Sequence, residues 1–272
     1  MIKFLFLILI GFFFGSCASK IPSLESRIET VFNYAKNEGL KEEIIYTKKF
    51  DLFSLQKEDF SCKNLNIYIE GDGFAFVNKN TISSNPTPIN STIQKLMATD
   101  KTSCKIYLAR PCQYYSNQSC NNSYWTDKRF SIEVLNSYDE ALSYIKNNYK
   151  NNTFTLIGHS GGGAIATILA SYRDDVNYLI TIAGNLDIEK WVEIKNLSPL
   201  TSSLNPKDFV YKLEAKKQFH LIGSRDEILS KEVFFSFYKS FNNKTNIGYK
   251  VVDANHNCCY ENEFKIINNF KK

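Results

Sequence analysis

An α/β fold with a mostly parallel sheet is what this sequence predicts, and three observations carry the prediction. Short apolar runs alternate with amphipathic stretches along most of the 272 residues. Those runs are nearly continuous in apolar side chains, as strands buried on both faces require, so helices must cover both sides of the sheet. One run, Phe154-Thr155-Leu156-Ile157, passes through Gly158-His159-Ser160-Gly161-Gly162 directly into a helical stretch at 163–172. A strand, a G-x-S-x-G turn and a helix in that order make a tight elbow that exposes a serine at the strand's carboxyl end. The positive end of the helix dipole and its free N–H groups then point at that serine.

The elements follow in order. Residues 26–38 place Ile28, Val31, Phe32 and Ala35 at roughly helical spacing. Residues 44–55 carry strand-like apolar runs, and 66–69 form a short strand ending at Glu70-Gly71-Asp72-Gly73. Asn, Ser, Thr and Pro dominate 78–92, which reads as loop, and 93–98 reads as a short helix. A strand at 105–109 stops at Arg110-Pro111, and a polar loop dotted with aromatics fills 112–128. A helix over 131–148 carries Val134, Leu135, Tyr138, Ala141, Leu142 and Ile145 on one face. Beyond the elbow, the 163–172 helix turns Ala164, Ile165, Ile168 and Leu169 inward. Strands follow at 176–183, 219–222 and 249–252, and a terminal helix at 264–270. Residues 185–217 hold Trp191, Pro199 and Pro206 but no clear strand, and read as a small cap inserted above the sheet.

Apolar residues make up 43% and charged residues 22% of the chain, the balance of a globular protein with room for a full core. The net charge of +5 is spread without a dense basic block, which argues against a nucleic-acid partner. The N-terminus departs from this composition. Lys3 precedes an uncharged apolar run from Phe4 to Phe14, then Gly15-Ser16-Cys17. A basic start, a short apolar core and small residues read as a signal peptide over 1–16. The run is too short for a finished transmembrane helix. Phe14-Gly15-Ser16-Cys17 resembles a bacterial lipoprotein signal, which implies cleavage before Cys17 and lipid on its sulfur. Ordinary signal cleavage is the alternative. Ala18 does not resemble the acidic inner-membrane retention signal. The expected location is therefore the bacterial cell envelope, at the outer membrane facing the periplasm. Residues 17–25 would form a lipidated tether and 26–272 the folded domain.

A serine nucleophile needs a base, and the base needs an orienting acid. The chain has three histidines. His159 lies inside the elbow and points away from the serine hydroxyl, and His220 lies mid-strand. His256, in a loop after the last strand, is the base by elimination. Asp226, in the turn after the 219–222 strand, is the acid, with Asp187 as its rival. The loop Glu70-Gly71-Asp72-Gly73 is placed to supply a second oxyanion donor, the amide of Asp72 or of Gly73, alongside that of Gly161.

The order Ser160, Asp226, His256 is that of the α/β-hydrolase superfamily, which the chain resembles from about residue 44 to its end. It looks most similar to a group of bacterial hydrolases, often lipoproteins. The motifs that carry this are Ile69-Glu70-Gly71-Asp72-Gly73, Arg110-Pro111-Cys112-Gln113-Tyr114, Tyr124-Trp125-Thr126, Arg129-Phe130-Ser131 and Ala183-Gly184-Asn185-Leu186-Asp187, together with the elbow. One departure is Glu70, where many superfamily members carry histidine. The resemblance implies an α/β-hydrolase fold and acyl transfer to water without a cofactor. The substrate would be a small-molecule or lipid acyl compound, and the membrane would be reached through Cys17. Peptide cleavage, transacylation, and a non-catalytic surface-binding lipoprotein are the competing functions.

The seven cysteines leave six once Cys17 is lipidated, an even number that suits an exported protein with disulfides. Cys112 and Cys120 bracket a short polar stretch and are the first expected pair. Cys62 and Cys104 each precede a strand, and pair if those strands are parallel neighbours. A bridge between the adjacent Cys258 and Cys259 is strained, so one of them buried and free is the alternative. His256, Cys258 and Cys259 match no known zinc-ligand spacing, and no metal site is expected.

Overall fold

The computed structural model describes residues 21–57 and 62–264. The signal segment, Cys17, and the terminal helix beyond Phe264 lie outside the described residues.

Helix α1 (Leu24–Glu38) starts where the Ser23 hydroxyl accepts the Ser26 N–H and stops at Gly39, whose φ of 60° is left-handed. The 44–55 stretch holds two strands. It folds as an antiparallel pair, β1 (Lys41–Tyr46) and β2 (Asp51–Gln56), around a turn in which Thr47 binds Phe50. Next come β3 (Asn64–Ile69), a small hairpin of β4 (Phe76–Asn78) and β5 (Thr81–Ile82), α2 (Thr92–Thr99) and β6 (Lys105–Leu108). The hairpin interrupts the stretch that the composition marks as loop. Then follow α3 (Ile132–Tyr149), β7 (Thr153–His159), α4 (Gly161–Tyr172) and β8 (Val176–Ile182). The chain continues through α5 (Ile188–Lys195), α6 (Val210–Leu213), β9 (Lys217–Gly223), α7 (Lys231–Lys239) and β10 (Ile247–Val252).

Eight strands form one sheet in the order β1-β2-β6-β3-β7-β8-β9-β10. Only β2 runs against the rest. Side chains alternate between two cores. Leu65, Ile67 and Ile69 of β3 join α3 and α4 on one face, whereas Tyr68 joins α1 and α2 on the other. From β3 the chain crosses to β6 on one side, then returns to β7 on the other. That reversal leaves a crevice at the carboxyl ends of β3 and β7, where open α/β sheets place their ligands.

Segment 185–217 lies between β8 and β9 and contains two helices, α5 and α6, that the sequence reading left out. Its later part packs on α4, and Leu213 is fully buried. Helix α7 is a further element not expected from the sequence; Ser230 precedes it, and Val233, Phe234 and Phe237 line its buried face.

Cys62 pairs with Cys104, their Cα atoms 5.9 Å apart at the amino ends of the parallel neighbours β3 and β6. Cys112 pairs with Cys120 across 5.7 Å and closes the loop after β6. Cys258 and Cys259 pair with each other, and both are exposed, so the alternative of a buried free thiol is set aside. Among the described residues no helix is long and apolar enough to cross a membrane. Nor do three His, Cys, Asp or Glu side chains there cluster to hold a metal.

Candidate active site

At the end of β7, Ser160 adopts φ 53° and ψ −122°, a conformation non-glycine residues seldom hold. Three backbone bonds keep it there: Ser160 N–H donates to Ile182 O, and Ser160 O accepts from Gly163 and Asn185. Glycine is required on both sides of the turn. A Cβ at Gly158 would lie 2.2 Å from Gly162 O, and one at Gly162 would lie 2.3 Å from Ile69 O.

His256 sits on the loop after β10. Its Nε2 is 3.0 Å from Ser160 Oγ, and its Nδ1 is 2.9 Å from Asp226 Oδ2. The other Asp226 oxygen accepts the N–H groups of Ile228 and Leu229, each at 2.8 Å. Burial pushes the Asp226 carboxyl up, but the His256 hydrogen bond, the imidazole charge and the two N–H donors outweigh it and hold the pKa below the ordinary aspartate value. The structure thus brings Ser160, His256 and Asp226 into one hydrogen-bonded chain.

Asp187 takes no part in this chain. It caps α5, accepting from Lys190 N–H, and its second oxygen pairs with Lys207 at 2.9 Å. His220 is fully buried, bonded to Thr181 and Gln218 and packed on Phe234 and Phe237. His159 points away from the serine hydroxyl and has a task the sequence did not reveal. Burial and the neighbouring His256 pull its pKa down to about 3, so the ring is neutral and its Nε2–H donates to the His256 carbonyl at 2.8 Å. It ties the base-bearing loop to the elbow.

The loop after β3 is fixed from within. The Glu70 carboxylate, fully buried, accepts from Gly71 N–H and from the hydroxyls of Ser91 and Tyr107. Burial raises its pKa against the pull of those donors. Gln113 donates to Gly71 O, and Phe74 N–H donates to Pro86 O. Among the described residues, the N–H groups of Asp72, Gly73 and Gly161 have no intramolecular acceptor. Asp72 and Gly161 are neighbours, since a Cβ at 161 would stand 2.0 Å from Asp72 Oδ1.

The Asp72 side chain bridges two guanidinium groups, Arg110 at 2.9 Å and Arg129 at 2.8 Å. Arg110 also donates to the Arg129 carbonyl, and Arg129 to Thr126 O. Burial works to raise the Asp72 pKa, but Arg129 and Arg110 prevail and lower it. The role of the Asp72 side chain is not legible in the sequence, because partners 38 and 57 positions away leave no periodic signal.

A cleft of about 410 Å³ opens over Ser160 and His256, walled by Phe74, Phe76, Trp191 and Asn185. Arg129 lies over the Phe76 and Trp191 rings, and the Trp191 indole N–H is held by Ile228 O. A second hollow of about 380 Å³, lined by Tyr178, Lys217, Gln218 and Gly248, sits at the opposite end of the sheet and contains no histidine or cysteine.

Comparison with known proteins finds a partial family match and a shared fold. Residues 83–177, which include the elbow, match the Lipase (class 3) family over well under half of the chain. The structure superposes on the Pyrococcus furiosus esterase Pf2001 with a TM-score of 0.63 at 15% identity, covering 86% of this chain and 93% of that one. Est1E from Butyrivibrio proteoclasticus gives 0.58 at 17% identity, covering 85% and 97%. An alpha-beta serine hydrolase homologue from Coxiella burnetii gives 0.54 at 14%, covering 85% and 94%. At such identities the likeness is one of fold, and the fold is that of the α/β-hydrolases. A search of curated proteins by sequence finds no match.

Proposed function

We propose that this chain is a serine hydrolase that cleaves a carboxylic ester by way of an acyl-enzyme. The observation that carries the reading is the hydrogen-bonded run from Ser160 Oγ through His256 to Asp226 at the floor of an open cleft. Ser160 attacks the carbonyl carbon while His256 Nε2 takes its proton. Asp226 keeps the other imidazole proton on Nδ1 and steadies the imidazolium. The N–H of Gly161, with that of Asp72 or Gly73, donates hydrogen bonds to the negative carbonyl oxygen. His256 returns the proton to the leaving alcohol, and water repeats the sequence on the acyl-enzyme. No step calls for a cofactor. The α/β-hydrolase fold, the partial class 3 lipase match and the esterases among the fold neighbours support this reading. The same proposal carries the cell-envelope location, with a lipid on Cys17 holding the enzyme at the membrane. Hydrolysis of p-nitrophenyl esters of graded chain length tests it: wild type should turn over at least the short esters, and Ser160→Ala should not. Equal turnover by both proteins would reject Ser160 as the nucleophile.

A further inference from the structure

Asn185 stands beside the nucleophile without a task in the mechanism. It follows β8, its backbone N–H holds the Ser160 carbonyl, and its side chain lines the cleft. The residue is 2% exposed, yet its Oδ1 is buried with no hydrogen-bond partner, and no bond to its Nδ2 is found among the described residues. A buried amide left this way is costly, because it has lost water and gained nothing in exchange. A fold can retain such a group when something that enters the site completes it.

The rest of the cleft also presents polar groups, though exposed ones. Asn90 and Asn257, both exposed, line it, and among the described residues neither side-chain amide makes an intramolecular hydrogen bond. Arg129 adds a guanidinium that shares the Asp72 carboxylate with Arg110. The aromatic walls thus carry amide donors and acceptors around the nucleophile, beside the Asp72–Arg129 pair. An unbranched hydrocarbon arm would strand the buried Asn185 amide.

Building on the ester-hydrolase reading, we propose that Asn185 is a substrate-contacting specificity residue and that the cleft takes an ester bearing hydroxyl groups near the scissile bond. A hydroxyl both donates and accepts, so it can complete either end of the Asn185 amide. An apolar arm of the same size leaves that amide unpaired in the complex, and discrimination follows from the difference.

The test compares matched esters on the full mature protein. Glycerol monoacetate against propyl acetate places the hydroxyls on the alcohol side, and propyl 3-hydroxybutyrate against propyl butyrate places one on the acyl side. Wild type should favour the hydroxylated member of at least one pair by ~10-fold or more in kcat/KM, equivalent to about 1.4 kcal/mol. The pair that shows it tells which arm Asn185 meets. Asn185→Leu should bring that ratio close to one, mainly through KM. If it fails to fold, as judged by circular dichroism, Asn185→Ala reads the same ratio. A wild-type ratio near one, or a ratio that survives the substitution, overturns the proposal, as it would if a bound water satisfied the amide. Labelling of Ser160 by a fluorophosphonate separates the two claims. Labelled enzyme without discrimination sinks only this inference, whereas an unlabelled serine with no ester turned over sinks the ester reading and this inference together.

Discussion

Asp226→Asn exchanges one oxygen for a nitrogen at nearly constant volume, and the surroundings dictate which way the new amide faces. Oδ1 of Asp226 accepts two backbone N–H groups, from Ile228 and Leu229, both at 2.8 Å. An amide nitrogen placed there would meet two donors, so the Asn oxygen must take that position. Its NH2 then faces His256 Nδ1, where Oδ2 now accepts at 2.9 Å. The imidazole must respond by carrying its proton on Nε2, 3.0 Å from Ser160 Oγ, and so can no longer receive the serine proton. The substitution selects the wrong tautomer while the packing survives, so the expected loss in kcat is ~10³–10⁴-fold, or about 4–5.5 kcal/mol of transition-state stabilisation. Steady-state hydrolysis of p-nitrophenyl acetate at neutral pH reads the loss, and circular dichroism checks the fold. Asp187→Asn is the comparison, since that carboxylate caps α5 and pairs with Lys207, and it should stay within a few-fold of wild type. An Asp226→Asn enzyme within tenfold of wild type, or the two variants in reverse order, would refute the reasoning.

Three further outcomes follow from the same geometry. Asp72→Asn leaves two buried guanidinium groups facing a neutral amide; because the Asp72 side chain keeps 18% of its exposure, the expected destabilisation is about 2–4 kcal/mol, below the full cost of an orphaned buried charge, and an unchanged thermal midpoint would contradict it. His159 and His220 have pKa values lowered to about 3 by burial, against about 6.5 unfolded, so the unfolded chain binds more protons between those values. Their contribution to stability is complete above about pH 6.5 and is lost as pH falls towards 3, by up to about 1.4 kcal/mol per pH unit for each ring; a midpoint that rises on acidification through this window would show the rings are not held neutral. Cys17→Ser should release the protein from membranes or leave an unprocessed precursor, while high salt should not elute the wild type, and mass spectrometry showing an unmodified mature N-terminus would mean ordinary secretion.

The features legible in the sequence are those whose chemistry is local or whose choices are few. The elbow could be read because the glycines at 158 and 162 are demanded by contacts under 2.5 Å, and no other residue type fits. His256 could be singled out because only three histidines exist and two fall in strand or elbow positions. The Cys112–Cys120 spacing pointed to its bridge for the same reason of proximity. Groups that meet only in three dimensions left no such trace. Arg110 and Arg129 converge on Asp72 from two different segments, and His159 reaches a carbonyl 97 positions away. Helix α7 is a different case, because the Ser230 start and the spacing of Val233, Phe234 and Phe237 were present to be read. The turn that divides 44–55 into β1 and β2 contains neither glycine nor proline, and only the polar Thr47-Lys48-Lys49 separates the two runs.

The central claim is that Ser160 is a nucleophile activated by His256. Its most direct measurement is the intact mass of the protein after treatment with a fluorophosphonate, followed by mapping of the modified peptide. The account predicts one adduct per chain, located on Ser160 and absent from Ser160→Ala. A protein that stays unmodified, or an adduct on any other residue that persists in Ser160→Ala, would contradict it.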